Sequence, residues 1–157
     1  MIVMLRLLAV LVVFTRAQTS AQQPPPAPPD PPAGDNAWSL LVSSTGGITG
    51  RGLGTVTVVS DGSASCVPTA CATPVEATRL KRISTSLSAV AENAWITRAP
   101  SATCSDCMQT TITLKQRRKD GIRTSVASWD DSQNPAPELR ELRRLVFELR
   151  TASSPTR

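Results

Sequence analysis

Histidine is absent from this chain of 157 residues, and its absence removes several classes of active site. The imidazole is the side chain whose ordinary pKa lies near neutral pH, so Ser-His-Asp and Cys-His catalytic arrangements are excluded. A zinc-protease helix with two imidazole ligands is excluded for the same reason. Chemistry would then require a Ser-Lys pair or two carboxylates.

Neither of these two routes has a strong candidate. The three lysines lie in polar, arginine-bearing stretches that give no reason for a lowered pKa, and the acids are scattered apart from Asp130 and Asp131. We therefore expect a protein that is not an enzyme and that binds no cofactor or metal. A carboxylate enzyme built around this aspartate pair is the alternative.

Tyrosine is also absent, and only four aromatic residues follow residue 34, namely Trp38, Trp95, Trp129 and Phe147. Such a chain offers no stacking platform for bases. The formal charge of +5 falls to +3 when residues 1–21 are removed, because they carry two arginines and no acid. This weak basic balance predicts no nucleic-acid partner.

The first 21 residues have the pattern of a secretory signal peptide. Arg6 supplies a basic start, residues 7–14 form an apolar run, and the small residues Ala17 and Ala21 follow. A membrane span needs about 20 apolar residues, so this run is too short for one. It matches the apolar region of a signal peptide, and we expect a secreted or periplasmic protein with no membrane span after cleavage.

A proline-rich tract follows the leader, with seven prolines in residues 22–32. Such a tract favours an extended polyproline II conformation without internal hydrogen bonds. We therefore assign residues 22–34 to a disordered linker or stalk. Residues 35–150 are long enough for one small domain, and residues 151–157 are expected to form a disordered tail.

Four cysteines occur in two pairs, Cys66 with Cys71 and Cys104 with Cys107. In an exported protein such pairs favour disulfides over a four-thiolate zinc site. A redox Cys-x-x-Cys motif usually opens a helix, whereas Cys107 leads into a strand-like run. We predict two disulfides, and the sequence leaves all three connectivities open.

The hydrophobic pattern predicts an α+β fold in the order ββαββα. Alternation from Trp38 to Ser43 and a β-branched run over residues 55–60 indicate a first hairpin, and residues 63–78 read as a loop. Apolar residues at helical spacing predict a helix over residues 79–94 and a C-terminal helix whose start is signalled by residues 134–137. Two antiparallel hairpins would then form a small sheet covered by helices on one face.

Residues 109–129 predict the second hairpin, which turns at Lys119, Asp120 and Gly121. A two-residue Asp-Gly turn would place Leu114 opposite Ala127. A three-residue loop would place Leu114 opposite Val126. We favour the three-residue loop because it gathers Ile112, Leu114, Ile122 and Val126 on one face.

Between the first two strands lies a glycine-rich segment, residues 45–54, with five of the eight glycines of the chain. Phosphate-binding loops open a helix, and the Walker type also carries a Gly-Lys-Ser/Thr ending. This segment runs into a strand and lacks that lysine. It is therefore expected to be either a plain hairpin connection or a protein-binding loop whose glycines allow close backbone approach.

The glycine-rich segment resembles the Ser-Gly-Gly-aromatic-x-Gly element of the emfourin family, which comprises small bacterial inhibitors of thermolysin-like metalloproteases. The residues that carry the likeness are Ser44, Thr45, Gly46, Gly47, Ile48, Thr49 and Gly50. The three glycines match, while Thr45 stands for the serine and Ile48 for the aromatic residue. The later helix, hairpin and Pro-led C-terminal helix are similar in layout.

The resemblance implies an inhibitor that inserts loops into the active-site cleft of a secreted metalloprotease. The implied contact residues are Thr45, Gly46, Gly47, Ile48, Gly50 and Arg51. Ile48 would fill an apolar specificity pocket while the loop backbone pairs with the cleft. The alternative is a stalked, envelope-associated structural or adhesive domain that uses the basic hairpin tip around Arg117, Arg118 and Lys119.

Overall fold

The computed structural model describes residues 27–50 and 52–151. The signal peptide predicted over residues 1–21, the first part of the proline tract and Arg51 lie outside the described residues. The tail predicted over residues 151–157 is described only at Thr151, the last residue of a helix.

The described residues form five strands, two α-helices and one short 3₁₀ turn. The elements are β1 Trp38–Gly46, β2 Gly54–Val59, β3 Ala64–Val67, α1 Ala77–Ala89, the 3₁₀ turn Glu92–Ala94, β4 Met108–Arg118, β5 Gly121–Asp130 and α2 Pro137–Thr151. The α+β class predicted from the sequence is confirmed. The prediction of a loop over residues 63–78 is wrong, because β3 lies within it and adds a third strand before α1.

The five strands make one antiparallel sheet in the order β3-β2-β1-β4-β5. The central strand β1 pairs with β2 on one side and with β4 on the other, so that Leu40 lies between Val58 and Leu114. Directly paired residues point to the same face of a sheet. The alternation read from the sequence therefore places Trp38, Leu40 and Val42 on one apolar face.

Both helices cover this apolar face. α2 begins at Pro137, the last residue of the predicted start signal, and proline at the first helical position has no amide that needs a partner. Its apolar stripe is buried against the sheet, with Leu139, Leu142, Leu145, Val146 and Leu149 all at most 6% exposed. The buried residues of α1 are Ile83 and Leu87. This helix is shorter than predicted, because the backbone turns extended at Val90.

The β4–β5 hairpin has a register that differs from the one favoured by the sequence. Arg118 pairs with Gly121, so the turn contains only Lys119 and Asp120, and Leu114 lies opposite Ser125. The predicted pairing of Leu114 with Val126 is wrong.

The tighter turn also changes which β5 residues reach the core. Ala127 and Trp129 reach the helix-covered face, and Val126 and Ile122 lie on the other face. The expected apolar group of Ile112, Leu114, Ile122 and Val126 is therefore split between the two faces. Shifting a register by one residue reverses the face of every side chain.

The second part of the proline tract packs against the sheet instead of extending from it. Pro28 and Pro31 are buried. A polyproline II segment has three residues per turn, so two prolines at this spacing share one side. The assignment of residues 22–34 to a disordered linker therefore does not describe residues 27–34, which lie against the domain.

Two cations of β4 hold this proline segment. The Arg117 guanidinium donates to the carbonyl oxygens of Pro31 and Pro32, both at 2.9 Å. The Lys115 ammonium lies 2.8 Å from the Asp30 carboxylate, and both its hydrogen bond and its charge hold the Asp30 pKa below the ordinary value. Lys115 and Arg117 alternate with core-facing residues of β4. The segment therefore covers the sheet face opposite the helices.

We predict that Arg117→Gln releases the proline segment while the domain stays folded. The substitution removes a charged donor from two carbonyl oxygens, and hydrogen bonds to charged groups stabilise by about 1.5–3 kcal/mol. Limited proteolysis should cleave residues 27–34 several-fold faster than in the wild type. Arg118→Gln is the matched control, because Arg118 donates to Gln116 on its own strand. Equal cleavage of both variants would contradict the assignment.

Candidate functional site

One edge of the sheet collects the chain segments singled out by the sequence. The pairing places the end of β1 at Gly46 beside the start of β4 at Met108, and the start of β2 at Gly54 near the end of β3 at Val67. The end of β5 at Asp130 lies next along the same edge. We call this edge, with its connecting loops, the loop edge.

The β1–β2 connection at the centre of the loop edge is a hydrogen-bonded loop. The Gly50 amide donates to the Gly47 carbonyl at 2.8 Å, and the Gly52 amide donates to the Gly46 carbonyl at 2.7 Å. A third amide, that of Gly47, donates to the Cys107 carbonyl at 3.4 Å. These bonds fix the base of the loop to itself and to the neighbouring segment.

Two of the loop glycines are required by close backbone approach. Gly52 has φ +59°, and a Cβ there would overlap the Ser44 carbonyl group. Gly46 has φ +84°, and a Cβ there would lie 2.8 Å from the Cys107 carbonyl oxygen. Glycine is therefore needed where this segment has a left-handed backbone, a conformation that residues with a side chain rarely adopt.

The tip of this loop presents an apolar side chain to solvent. Ile48 is 92% exposed, the largest exposure among the large apolar side chains of the described residues. Thr45 and Gly50 are also exposed, and Gly46 and Gly47 are partly exposed at the base. The structure thus brings five of the six predicted contact residues together. The sixth, Arg51, lies outside the described residues.

The cysteine-bearing segment before β4 flanks the loop on one side. Cys104 and Cys107 form a disulfide, so one of the two predicted bridges is present and its connectivity is decided. The Cys107 carbonyl is the group that accepts from Gly47. The Met108 side chain also lies against Gly47, with Cγ 3.1 Å from the position of an added Cβ.

The Asp130 and Asp131 carboxylates hold the same segment. Asp130 is 2% exposed and accepts from the Ser101 amide at 2.5 Å and from the Ser132 amide at 2.9 Å. The Asp131 carboxylate accepts from the Met108 amide at 3.3 Å. Hydrogen bonds from the Ser132 hydroxyl and from the Ser101 amide lower the Asp130 pKa. Both carboxylates thus bind backbone amides at the base of the loop edge.

On its other side the loop is flanked by the end of β3. Arg150 near the end of α2 connects the two segments, because its guanidinium donates to the Leu53 carbonyl and to the Thr69 hydroxyl, the latter at 2.9 Å. The guanidinium also lies over the Phe147 ring, 5.8 Å from its centroid, a favourable cation–π distance. Val67 next to this connection is 60% exposed.

The second cysteine pair lies in this flank, where Cys66 and Cys71 are free thiols. Burial, followed by hydrogen bonding with the Cys71 thiol, raises the pKa of Cys66 to about 12. The two side chains are therefore direct neighbours, and both pack against the core. A bridge between Cys66 and Cys71 stays a prediction. It is the one second pairing of the four cysteines that the Cys104–Cys107 bond still allows.

The opposite end of the sheet holds a concave site that the sequence did not single out. A cavity of about 390 Å³ opens there, with Trp38, Trp95, Arg118 and Arg123 among its lining residues. The loop edge, in contrast, projects Ile48 outward. Among residues 27–50 and 52–151 no group of three or more cysteine, aspartate or glutamate side chains is placed to hold a metal ion. None of the helices in that part of the chain is long and apolar enough to cross a membrane.

The hairpin tip considered for adhesion is partly engaged within the domain. Arg117 donates to the proline segment and Arg118 to Gln116. Arg123, further along β5, forms an ion pair with Glu92, and this partner raises the arginine pKa. These contacts occupy donors of Arg117 and Arg118, and the Glu92 carboxylate offsets the charge of Arg123.

Comparison of the chain with family models, curated proteins and solved structures finds no match in any of the three. The resemblance to emfourins therefore stays a prediction from the glycine-loop residues and from the layout of the later elements.

Three residues of the loop edge were missed by sequence reasoning. Leu53 in the loop and Val67 beside it are exposed apolar residues, and Arg150 donates hydrogen bonds to both of their segments. Arg150 reads in the sequence as one more solvated arginine of α2. Val67 carried one signal, since an apolar residue between cysteine and proline interrupts an otherwise small and polar stretch.

We predict that Asp130 makes the fold sensitive to acid. Because its folded pKa lies below the ordinary value of 3.8, the ionised carboxylate stabilises the fold above about pH 4. This contribution is lost as the pH falls through the folded pKa. Asp130→Asn should therefore lower the melting temperature at pH 5 and reduce its further fall between pH 5 and pH 2.

Thermal unfolding followed by circular dichroism measures this effect. Asp106→Asn is the matched control, because Asp106 is exposed on the same segment. Melting temperatures of wild type and Asp130→Asn that fall in parallel with pH would contradict the role given to Asp130.

Proposed function

We propose that this protein is an exported, non-enzymatic inhibitor of a secreted metalloprotease of the thermolysin-like class, and that it inserts its glycine-rich loop into the active-site cleft. The observation that carries the proposal is Ile48, 92% exposed on a loop whose base is fixed by hydrogen bonds. Exposure of such an apolar side chain to water is unfavourable, and its transfer into an apolar pocket lowers the free energy.

The backbone of the loop supports the same interpretation. Protease clefts bind an extended substrate through hydrogen bonds to its backbone amides and carbonyls. An exposed segment next to a strand presents the same backbone groups. Thr45, an exposed residue of β1 that follows seven buried ones, and Gly50 beyond the tip lie at the surface, where a partner can reach them. The glycines carry no side chain that would hold the two backbones apart.

An inhibitor must also resist cleavage, and the fixed base of the loop provides a reason. Binding a preorganised loop costs less conformational entropy than ordering a flexible one. A segment held at both ends also resists the distortion that cleavage requires. Hydrogen bonds to Gly46, Gly47 and the Cys107 carbonyl, with the Cys104–Cys107 disulfide behind them, supply this restraint.

We predict that Ile48→Asp abolishes inhibition of a susceptible thermolysin-like protease, weakening the inhibition constant at least 100-fold. A carboxylate in an apolar pocket is left without a partner, and this costs several kcal/mol. The measurement is steady-state inhibition across a panel of secreted zinc endopeptidases, including those of the source organism.

Ile122→Asp is the matched control, because Ile122 is 39% exposed on β5 far from the loop edge. It should inhibit as the wild type does. Absence of inhibition by the wild type across the whole panel would refute the proposed function. Equal inhibition by Ile48→Asp would place the contact elsewhere.

A further inference from the structure

The exposed apolar side chains of the described residues are unevenly distributed. Of the five large ones, three lie at the loop edge, and they belong to two separate segments: Ile48 and Leu53 in the glycine-rich loop and Val67 at the end of β3. The two segments are neighbours, since Val67 pairs with Thr55 directly after Gly54. A second exposed apolar side chain therefore lies beside the point where the glycine-rich loop enters β2.

These two segments are mechanically connected. A Cβ on Gly54 would lie 2.7 Å from Cδ of Pro68, which means that the return of the glycine-rich loop packs directly on the residue after Val67. Arg150 donates to Leu53 in one segment and to Thr69 in the other. Residues 67–70 and the end of the glycine-rich loop are therefore held together by direct packing and by a shared hydrogen-bond donor.

The segment of residues 67–70 lies between two neighbouring thiols. Cys66 and Cys71 pack inward against the core, while Val67 points to the opposite side of β3 and is exposed. A bond between the two sulfur atoms would close residues 67–70 into a small ring without moving Val67 from the surface. Such a ring removes conformational freedom from the segment.

We propose that residues 67–70 form a second contact element of the protease-binding surface, with Val67 as its apolar anchor, and that a Cys66–Cys71 disulfide locks it in place beside the glycine-rich loop. The inference rests on the proposed function. Its partner is a protease whose specificity pocket has an apolar shoulder beside it. Val67 then contributes to specificity, and the thiol–disulfide state of the pair sets affinity.

The locking step is an exchange with a low-molecular-weight disulfide such as glutathione disulfide. The Cys71 thiolate attacks one glutathione sulfur and releases one glutathione thiolate. The Cys66 thiol then loses its proton, and its sulfur attacks Cys71 Sγ and expels the second glutathione. The two protein thiols lose two electrons, and glutathione disulfide becomes two thiols that take up the two protons. The overall balance is the same whichever of the two thiols attacks first.

The first measurement needs no protease. After treatment of the full chain with glutathione disulfide, peptide mapping should find Cys66 linked to Cys71, and thiol titration should find no free cysteine. Hydrogen exchange of residues 52–54 and 67–70 should then slow several-fold relative to the double variant Cys66→Ser/Cys71→Ser. A chain that keeps both thiols reduced, or unchanged exchange after closure, would overturn the lock.

The second measurement compares inhibition constants against a protease that the oxidised wild type inhibits. Val67→Ser and the double cysteine variant should each inhibit about tenfold more weakly, whereas Ile122→Ser should match the wild type. Val67→Ser keeps both cysteines, so it tests the contact even where the double variant fails to fold.

The outcomes separate the two proposals. If the wild type inhibits the protease, and Val67→Ser and the double cysteine variant inhibit it equally well, the second contact element is overturned. The inhibitor proposal would then still stand. No inhibition by any form would remove both.

Discussion

The pairing of β1 on both of its sides is the constraint on which the rest of the structure depends. Its alternation puts Trp38, Leu40 and Val42 on the face that α1 and α2 cover, so the same strand sets the core and the plane of the sheet. Because β1 is central, the loop that leaves it at Gly46 begins between two neighbours instead of at a free edge.

The loop edge is stabilised from elements far away in the sequence. Asp130 and Asp131 on and just after β5 fix the segment that carries Cys104 and Cys107, and that segment binds the Gly47 amide. On the other side α2 reaches the loop through Arg150. A loop supported in this way keeps its shape without a core of its own, and the proposed insertion into a protease cleft requires such a loop.

The sheet face opposite the helices is crossed by the proline segment. The buried residues of this face include Ser39 and Leu41 of β1, and the proline segment crosses it through Lys115 and Arg117. A polyproline II segment has no internal hydrogen bonds, so its carbonyl oxygens are free to accept from Arg117. Residues 27–34 of the proline tract are therefore part of the domain.

The sequence by itself determined the α+β class, the position of four of the five strands, the start of α2 and the glycine-rich segment as the candidate site. These features depend on local periodicity and on the special backbone of glycine and proline, which short stretches encode. It did not determine β3, whose small residues carry little periodic signal. It also did not determine the β4–β5 register, because a one-residue difference in the turn reverses the faces while leaving the same alternating pattern.

Only the tertiary structure decided that Cys104 pairs with Cys107, that Arg150 links Leu53 to Thr69, and that Val67 lies beside the glycine-rich loop. The contacts of Arg150 and Val67 join segments that the folded sheet brings together. The disulfide is one of three pairings that the sequence left open. Their physical cause is the distance between chain segments after folding, and this distance has no local pattern in the sequence.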